Sequence, residues 1–157
     1  MTLYQGPAFR VERRDGRDVV VHAPVAAVVA LDHDDRLTLV HQHRVPVAAS
    51  LLELPAGFID AGESPIEAAQ RELAEETGLH GGEWAEMATF FTSAGFTDER
   101  VHLFLATGLE PGAAAPTEDE ELEVVRVSLA DVPALIDECR DAKTLIGLLL
   151  LSRYRHL

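Results

Sequence analysis

The sequence predicts an α/β domain in which helices cover both sides of a mixed β-sheet. Residues 25–31 form a nearly continuous run of β-branched and small apolar side chains, which is typical of a strand buried on both faces. Other strand-like runs occur along the chain together with helical segments. That mixture favours a sheet with helices packed against it.

Composition limits the class of protein. The chain has 157 residues, 47% hydrophobic and 25% charged, which is the make-up of one globular domain. Its formal net charge of −14 argues against a nucleic-acid partner, because affinity for nucleic acids rests largely on Lys and Arg. The longest apolar run, residues 145–151, is too short to span a bilayer, and the N-terminus lacks the apolar core of a signal peptide. We therefore expect a cytoplasmic protein without a membrane partner.

The elements follow in chain order. Residues 9–14 and 17–23 predict a β-hairpin around Asp15 and Gly16, and we expect this hairpin unit (1–23) to precede a main domain (24–157). Further strands are predicted at residues 25–31, 37–44, 51–54, 84–91, 101–107 and 122–127. Helices are predicted at residues 131–140, which contain Cys139 as a packing residue, and at 144–156, with the apolar side chains Leu145, Leu148, Leu149 and Tyr154.

A further helix, between Ser64 and Gly78, has its own start and stop signals. Ser64 is the expected N-cap, Pro65 suits the first helical position, and Glu67 falls where a capping box requires a carboxylate. Gly78 supplies the left-handed residue that commonly ends a helix. The helical period places three side chains on one apolar side: Ile66, Ala69 and Leu73.

The same period brings Glu72, Glu75 and Glu76 together on another side of this helix. Like charges at this spacing destabilise an isolated helix, so a compensating positive charge is expected. One interpretation is an exposed acidic helix in which Arg71 pairs with Glu67 or Glu75. The other is a metal site, because glycines bracket the helix and Mg²⁺ or Mn²⁺ prefers oxygen ligands completed by water and substrate phosphates.

The stretch from Gly57 to Leu79 resembles the Nudix box, the signature of Nudix hydrolases. Gly57 is followed by five residues, Glu63, seven residues and then Arg71-Glu72-Leu73-x-Glu75-Glu76-x-Gly78-Leu79, which matches every defined position. That family cleaves a nucleoside diphosphate linked to another moiety, using divalent metals on the box glutamates. The resemblance implies an α/β/α sandwich, in agreement with the predicted elements.

Segments outside the box are similar to those of ADP-ribose pyrophosphatases, a subfamily of Nudix hydrolases. These segments are residues 42–44, 52–57, 93–100 and 141–146. The resemblance implies a small-molecule substrate, ADP-ribose, that is split into AMP and ribose 5-phosphate. Ala94 departs from the pattern, because the subfamily usually has a proline there. Proline would stiffen the loop, so the substrate assignment is weakened while the hydrolase assignment is not.

The resemblance also implies a set of metal ligands. The carbonyl of Ala56 and the carboxylates of Glu72 and Glu76 would hold Mg²⁺ or Mn²⁺, two or more ions, with Glu75 or Glu120 completing a site. Two neighbouring metal ions can clamp a diphosphate, neutralise developing charge and lower the pKa of the attacking water.

The catalytic base is implied to lie in the acidic run 118–121, with Glu118 the closest counterpart and Glu120 the next. A solvated acidic loop is the alternative for this run. Arg71 is implied to orient the metal ligands without binding the metal itself.

Four residues are implied as substrate contacts. Arg44 suits a phosphate, since its guanidinium fork matches phosphate oxygens. Glu53 and Glu99 resemble contacts to the terminal ribose or its waters, and Phe9 is a candidate for stacking on adenine. The alternative is that Arg44 is a solvated arginine and that the two glutamates are surface charges. The apolar hairpin and the dimeric habit of the family further imply a homodimer in which residues 9–23 lie across the partner.

Two other functions stay open. One is a Nudix hydrolase for a different nucleotide sugar or a dinucleoside polyphosphate. The other is a Nudix-fold module that binds nucleotides without catalysis. The intact set of Arg71, Glu72, Glu75 and Glu76 argues against the module, because a protein that only binds need not keep every ligand.

Overall fold

The computed structural model describes residues 1–112 and 122–156. Its helices are α1 (Pro65–Thr77), α2 (Val132–Glu138) and α3 (Ala142–Arg155), with short 3-10 turns at Val45–Val47 and Leu129–Asp131. Its strands are β1 (Thr2–Gln5), β2 (Phe9–Arg14), β3 (Arg17–His22), β4 (Val25–Asp32), β5 (Arg36–Arg44), β6 (Ala49–Glu53), β7 (Ala56–Phe58), β8 (Leu79–His80), β9 (Glu83–Phe91), β10 (Arg100–Pro111) and β11 (Glu123–Ser128). No helix in the described part is long and apolar enough to cross a membrane.

The main sheet has eight strands and is mixed, as predicted. β4 lies at its centre, parallel to β10 and antiparallel to β5 and β7. β6 and β11 pair with β5, and β8 and β9 pair with β10. Strands β1, β2 and β3 form a separate antiparallel sheet.

The core lies on both faces of β4. All eight residues of this strand are buried, and successive side chains of a strand point to opposite faces. Its odd-numbered residues join a cluster with Val132 of α2 and Leu148 of α3. Its even-numbered apolar residues join a second cluster with Ala69 and Leu73 of α1. The predicted α/β/α sandwich is therefore confirmed.

Helix α1 begins and ends where the sequence predicts. The Ser64 hydroxyl accepts a hydrogen bond from the Glu67 amide, and the Glu67 carboxylate accepts one from the Ser64 amide, which completes the capping box. Pro65 is the first helical residue. Gly78 ends the helix with a φ of 71°, in the left-handed region that glycine favours.

Some predictions about the helices are wrong in detail. The predicted helix at 131–140 starts with a 3-10 turn and ends at Glu138, so Cys139 follows it as the C-cap. Cys139 still packs against the core, and burial raises the pKa of its thiol. Ile66, which was assigned to the apolar side of α1, is exposed, because α1 contacts the sheet through other positions. Leu149 and Tyr154 of α3 are also exposed.

The N-terminal sheet contains the predicted hairpin and one strand that the sequence did not reveal. Asp15 and Gly16 have φ values of 49° and 78°, which suits the two-residue turn that joins β2 to β3. The unpredicted strand, β1, pairs with β2. The hairpin rests on its own main domain, because the Val20 amide donates to Phe96 O at 2.8 Å and the Asp98 amide donates to Val20 O at 3.2 Å.

Candidate active site

A cleft of about 490 Å³ collects most of the predicted site residues. Its walls come from β5, β6, β7, α1, the segment before β10 and the start of α3. The predicted site residues that line it are Arg44, Glu53, Ala56, Glu72, Glu76 and Glu99. Glu75 and Phe9 are not among the residues that line it. Among the described residues, none of the predicted site residues lines a larger cavity of about 650 Å³ between β6 and α2.

The main chain of β7 meets the acidic side of α1 at Gly57. A Cβ atom on Gly57 would lie 2.0 Å from Cδ of Glu72, so only glycine leaves room for this carboxylate. One turn further along α1, the buried Glu76 accepts a hydrogen bond from the Ala56 amide at 3.1 Å. Pairing of Ala56 with Ala27 of β4 fixes this backbone. The carboxylates of Glu72 and Glu76 therefore lie beside the main chain of β7, which also carries the carbonyl of Ala56.

Arg71 supplies the positive charge that the acidic helix requires. Its Nε donates to Glu63 at 2.9 Å, and its Nη1 donates to Glu72 at 2.6 Å and to Glu75 at 3.3 Å. Its Nη2 donates to the carbonyl of Phe58 at 2.9 Å. Of the two partners predicted for Arg71, Glu75 is bound, whereas Glu67 forms the capping box with Ser64. Hydrogen bonds to Glu63 raise the pKa of Arg71 further above its ordinary value, so the guanidinium stays charged.

The donor groups at β7 fit a divalent metal. Within residues 1–112 and 122–156, no three His, Cys, Asp or Glu side chains are grouped closely enough to hold an ion. Glu72, Glu76 and the carbonyl of Ala56 are an all-oxygen set beside an open cleft. Mg²⁺ is commonly bound by one or two carboxylates, with waters and substrate phosphates as the other ligands. The remaining acidic candidates, Glu118 and Glu120, lie in residues 113–121, outside the described part of the chain.

Another part of the cleft wall is built on a buried carboxylate. Glu53 is 1% exposed and accepts hydrogen bonds from Arg44 Nε at 2.7 Å and Nη2 at 2.8 Å, and from Lys143 Nζ. The alternative that Glu53 is a surface charge is therefore wrong, and Arg44 is ion-paired rather than merely solvated. Burial acts to raise the pKa of Glu53, but the hydrogen bond from Arg44 and the charge of Lys143 outweigh it and lower the pKa.

Lys143 is a cleft residue that the sequence analysis did not single out. It lies in the first turn of α3, and its Nζ also donates to Asp141 at 3.0 Å. Asp141 caps the same helix, because it accepts hydrogen bonds from the amide and hydroxyl of Thr144. One signal in the sequence marks this residue: Lys143 is the single lysine of the chain, whose other twelve basic residues are arginines.

Glu99 joins the cleft to the N-terminal sheet. Its carboxylate accepts a hydrogen bond from the Thr92 hydroxyl at 2.5 Å and lies 3.3 Å from Nδ1 of His22, at the end of β3. Phe9 pairs with His22 across β2 and β3, but its ring lies against Tyr4, with the two ring centroids 5.8 Å apart. Within one chain, Glu99 therefore lines the cleft with the other candidate residues, whereas Phe9 does not.

The protein is therefore an α/β/α sandwich in which an acidic helix, bound by Arg71, lies beside an open cleft. Comparison with known proteins identifies the family, because residues 21–146 match the NUDIX domain. The chain therefore belongs to the Nudix family, and the resemblance found in its sequence is confirmed.

Two bacterial proteins are similar to this chain over most of its length. It is 39% identical over 132 residues to an ADP-ribose pyrophosphatase of Bacillus subtilis, which is 82% of this chain and 71% of that protein. It is 38% identical over 135 residues to a methanol dehydrogenase activator of Bacillus methanolicus, which is 83% of this chain and 73% of that protein. A crystal structure of an ADP compounds hydrolase superposes with a TM-score of 0.83 at 25% identity, covering 99% of this chain and 91% of the other.

Replacing Gly57 with alanine is expected to weaken Mn²⁺ binding by at least about tenfold, the range found when groups that orient metal ligands are changed. The added methyl group would occupy the place of the Glu72 carboxylate. Isothermal titration with Mn²⁺ measures the effect. Gly95→Ala is the matched control, because its methyl group meets nothing within 4 Å. Equal affinity of Gly57→Ala and wild type would contradict the assigned role of this contact.

Proposed function

We propose that this Nudix protein hydrolyses ADP-ribose to AMP and ribose 5-phosphate, with Mg²⁺ or Mn²⁺ as its cofactor. The observation that carries the proposal is one cleft lined by both the oxygen donors Glu72 and Glu76 and the cation Arg44. The identity of 39% with the Bacillus subtilis ADP-ribose pyrophosphatase, over most of both chains, supports this substrate.

The roles proposed for the metal ligands come from the family resemblance. The Ala56 carbonyl, Glu72 and Glu76 would hold two or more ions, and Glu75 or Glu120 would complete a site. Bound ions neutralise charge on the diphosphate and lower the pKa of coordinated water. Arg71 is a positioning residue, since its hydrogen bond to Glu72 at 2.6 Å keeps that carboxylate beside β7.

The reaction itself is a transfer of one phosphoryl group to water. The water oxygen forms a bond to one phosphorus of the diphosphate, and the bond between that phosphorus and the bridging oxygen breaks. The bridging oxygen leaves with the other phosphate, so that both products are phosphomonoesters. We assign the role of base, which accepts the proton of the water, to Glu118 or Glu120. General base catalysis of this kind typically contributes about 10²–10⁴-fold in rate.

The substrate contacts proposed from the sequence are distributed over two regions. Arg44 is proposed to bind a phosphate. Glu53 and Glu99 are proposed to contact the terminal ribose or its waters, which places the ribose beside that phosphate, because Glu53 is hydrogen-bonded to Arg44. Phe9 is proposed to stack on adenine from the second subunit of a dimer. It does not line the cleft of its own chain.

A second candidate function is hydrolysis of a different nucleotide sugar. Ala94 stands where ADP-ribose pyrophosphatases usually have proline, and the chain is 32% identical, over 82% of its length, to an ADP-sugar pyrophosphatase of Mus musculus. A binding module without catalysis is the third candidate. Product formation across a panel of ADP-ribose, other nucleotide sugars and dinucleoside polyphosphates separates all three.

The test of catalysis compares wild type with Glu76→Gln on ADP-ribose in Mg²⁺. Wild type is expected to release AMP and ribose 5-phosphate. The variant is expected to lose turnover by orders of magnitude, because the negatively charged carboxylate is replaced by a neutral amide with a single oxygen. Its fold, checked by circular dichroism, stays intact. Glu110→Gln on the exposed end of β10 is a matched control that should retain turnover. Full activity of wild type after chelation of all metal would contradict a metal-dependent mechanism.

The proposed base is tested by separate substitutions in the acidic run. Glu118→Gln is expected to lower kcat strongly with little change in KM, because it removes the proton acceptor without removing a substrate contact. Glu120→Gln is expected to lower kcat less, unless it changes the metal requirement, which would assign Glu120 as a metal ligand. Near-normal kcat in both variants and in the double variant would show that the base lies elsewhere, among Glu53, Glu75 and Glu99.

The N-terminal sheet is proposed to form the interface of a homodimer. Its exposed apolar side chains include Leu3 at 43%, Tyr4 at 52% and Phe9 at 41% exposure. Apolar side chains that cluster on a small sheet favour a protein contact over solvent. The hairpin also bonds to the segment that carries Glu99, so a partner seated on this sheet would lie close to the cleft.

Light scattering at micromolar concentration is expected to give the mass of a dimer for wild type. Tyr4→Ser combined with Phe9→Ser should shift the protein towards monomer, because both substitutions remove apolar area from the proposed interface. Leu149→Ser, at a side chain that is 49% exposed on α3, is the control and should leave the mass unchanged. A monomeric wild type would refute this interface.

A further inference from the structure

The position of the only lysine is not explained by helix stability. Lys143 lies in the first turn of α3, where the helix dipole disfavours a positive charge by typically about 0.3–1 kcal/mol. The other twelve lysine or arginine positions of the chain are arginine. An ammonium group is a compact point charge with three donors, whereas a guanidinium is a planar fork, so the two do not present the same donors to a ligand.

Burial and hydrogen bonding define what this ammonium can do. The Lys143 side chain is 12% exposed and lines the cleft. An ammonium has three N–H donors, and among the described residues Glu53 and Asp141 accept from Nζ. One donor is left for a ligand. In the same way, Arg44 uses one N–H of Nε and one of Nη2 on Glu53, which leaves the two donors of Nη1 and the second donor of Nη2.

The charges that line the cleft bear on how it can bind a phosphate. Among the described residues that line the cleft, two side chains are from arginine or lysine, namely Arg44 and Lys143. The acidic side chains that line it include Glu72, Glu76 and Glu99. A phosphate that enters this cleft meets like charges. Metal offsets part of this repulsion, and protein cations with unused donors offset more.

We propose that Lys143 and Arg44 form a phosphate-binding pair, and that the buried Glu53 is the positioning residue that holds both cations at the cleft wall. Glu53 bridges them through separate contacts, with both oxygens bonded to Arg44 and one of these also bonded to Lys143. The pair binds the diphosphate of the nucleotide substrate. This assignment rests on the proposed function for the identity of that substrate, but not for phosphate binding itself.

A purely structural role for these contacts makes a different prediction. Glu53 is in β6 and Lys143 is in α3, so their ion pair also joins two elements of the fold. If joining them were its whole role, removal of the lysine charge would lower stability and leave anion binding unchanged. Binding of inorganic pyrophosphate in the presence of a chelator therefore distinguishes the two roles, because no metal contributes to it.

The experiment measures the Kd of pyrophosphate in EDTA by isothermal titration. Lys143→Met is expected to raise Kd by about 10–100-fold, the value of one hydrogen bond to a charged group. Lys143→Arg should recover part of this loss, because it restores the charge. Arg153→Met, which removes one exposed cation from the same helix, should have no effect. With ADP-ribose and Mg²⁺, Lys143→Met should raise KM more than it lowers kcat.

Folding of each variant is checked by its thermal transition. If Lys143→Met does not fold because the Glu53 carboxylate loses a partner, Lys143→Gln takes its place, since its amide can donate to Glu53 without carrying a positive charge. The inference is overturned if a folded variant without the lysine binds pyrophosphate as its parent does, or if wild type binds none. Failure of wild type to hydrolyse ADP-ribose would instead reject the proposed function and leave the pyrophosphate result to decide the inference.

Discussion

The approach of the Glu72 carboxylate to the main chain at Gly57 is the contact on which the rest of the site depends. It requires two elements to be fixed independently. β7 is fixed by pairing with β4, and α1 is fixed because Ala69 and Leu73 pack on the even-numbered side of that strand. The strand at the centre of the core therefore sets both partners of the contact. Packing of α1 places the carboxylates, and the absence of a side chain at Gly57 leaves the space that the Glu72 carboxylate occupies.

Electrostatics then divide the cleft into two parts. On α1, Arg71 binds three carboxylates and a carbonyl, which stabilises a helix whose own charges repel one another. Near α3 the pattern is reversed, since one buried carboxylate, Glu53, binds two cations. Each part has a central charge surrounded by opposite ones. Such an arrangement holds ionised groups in place within a partly desolvated cleft, where an unpaired charge would be costly.

The sequence predicted those features that are encoded locally. The capping box of α1, the glycine that ends it and the burial of β4 all follow from neighbouring residues. β1 was missed because its four residues are exposed and lack an apolar pattern. The burial of Glu53 was also beyond local reasoning, because Lys143 lies 90 residues away in sequence. Ile66 was misplaced because a helical period gives an apolar side but not the part of it that meets the sheet.

Whether β7 and α1 together hold a divalent metal is tested most directly by a crystal soaked in Mn²⁺, with diffraction recorded near the manganese absorption edge. We expect an anomalous peak in contact with the carboxylates of Glu72 and Glu76 and the carbonyl of Ala56, at about 2.0–2.3 Å, the usual range for small divalent cations and oxygen. A peak confined to other acidic residues, or none at saturating Mn²⁺, would contradict it.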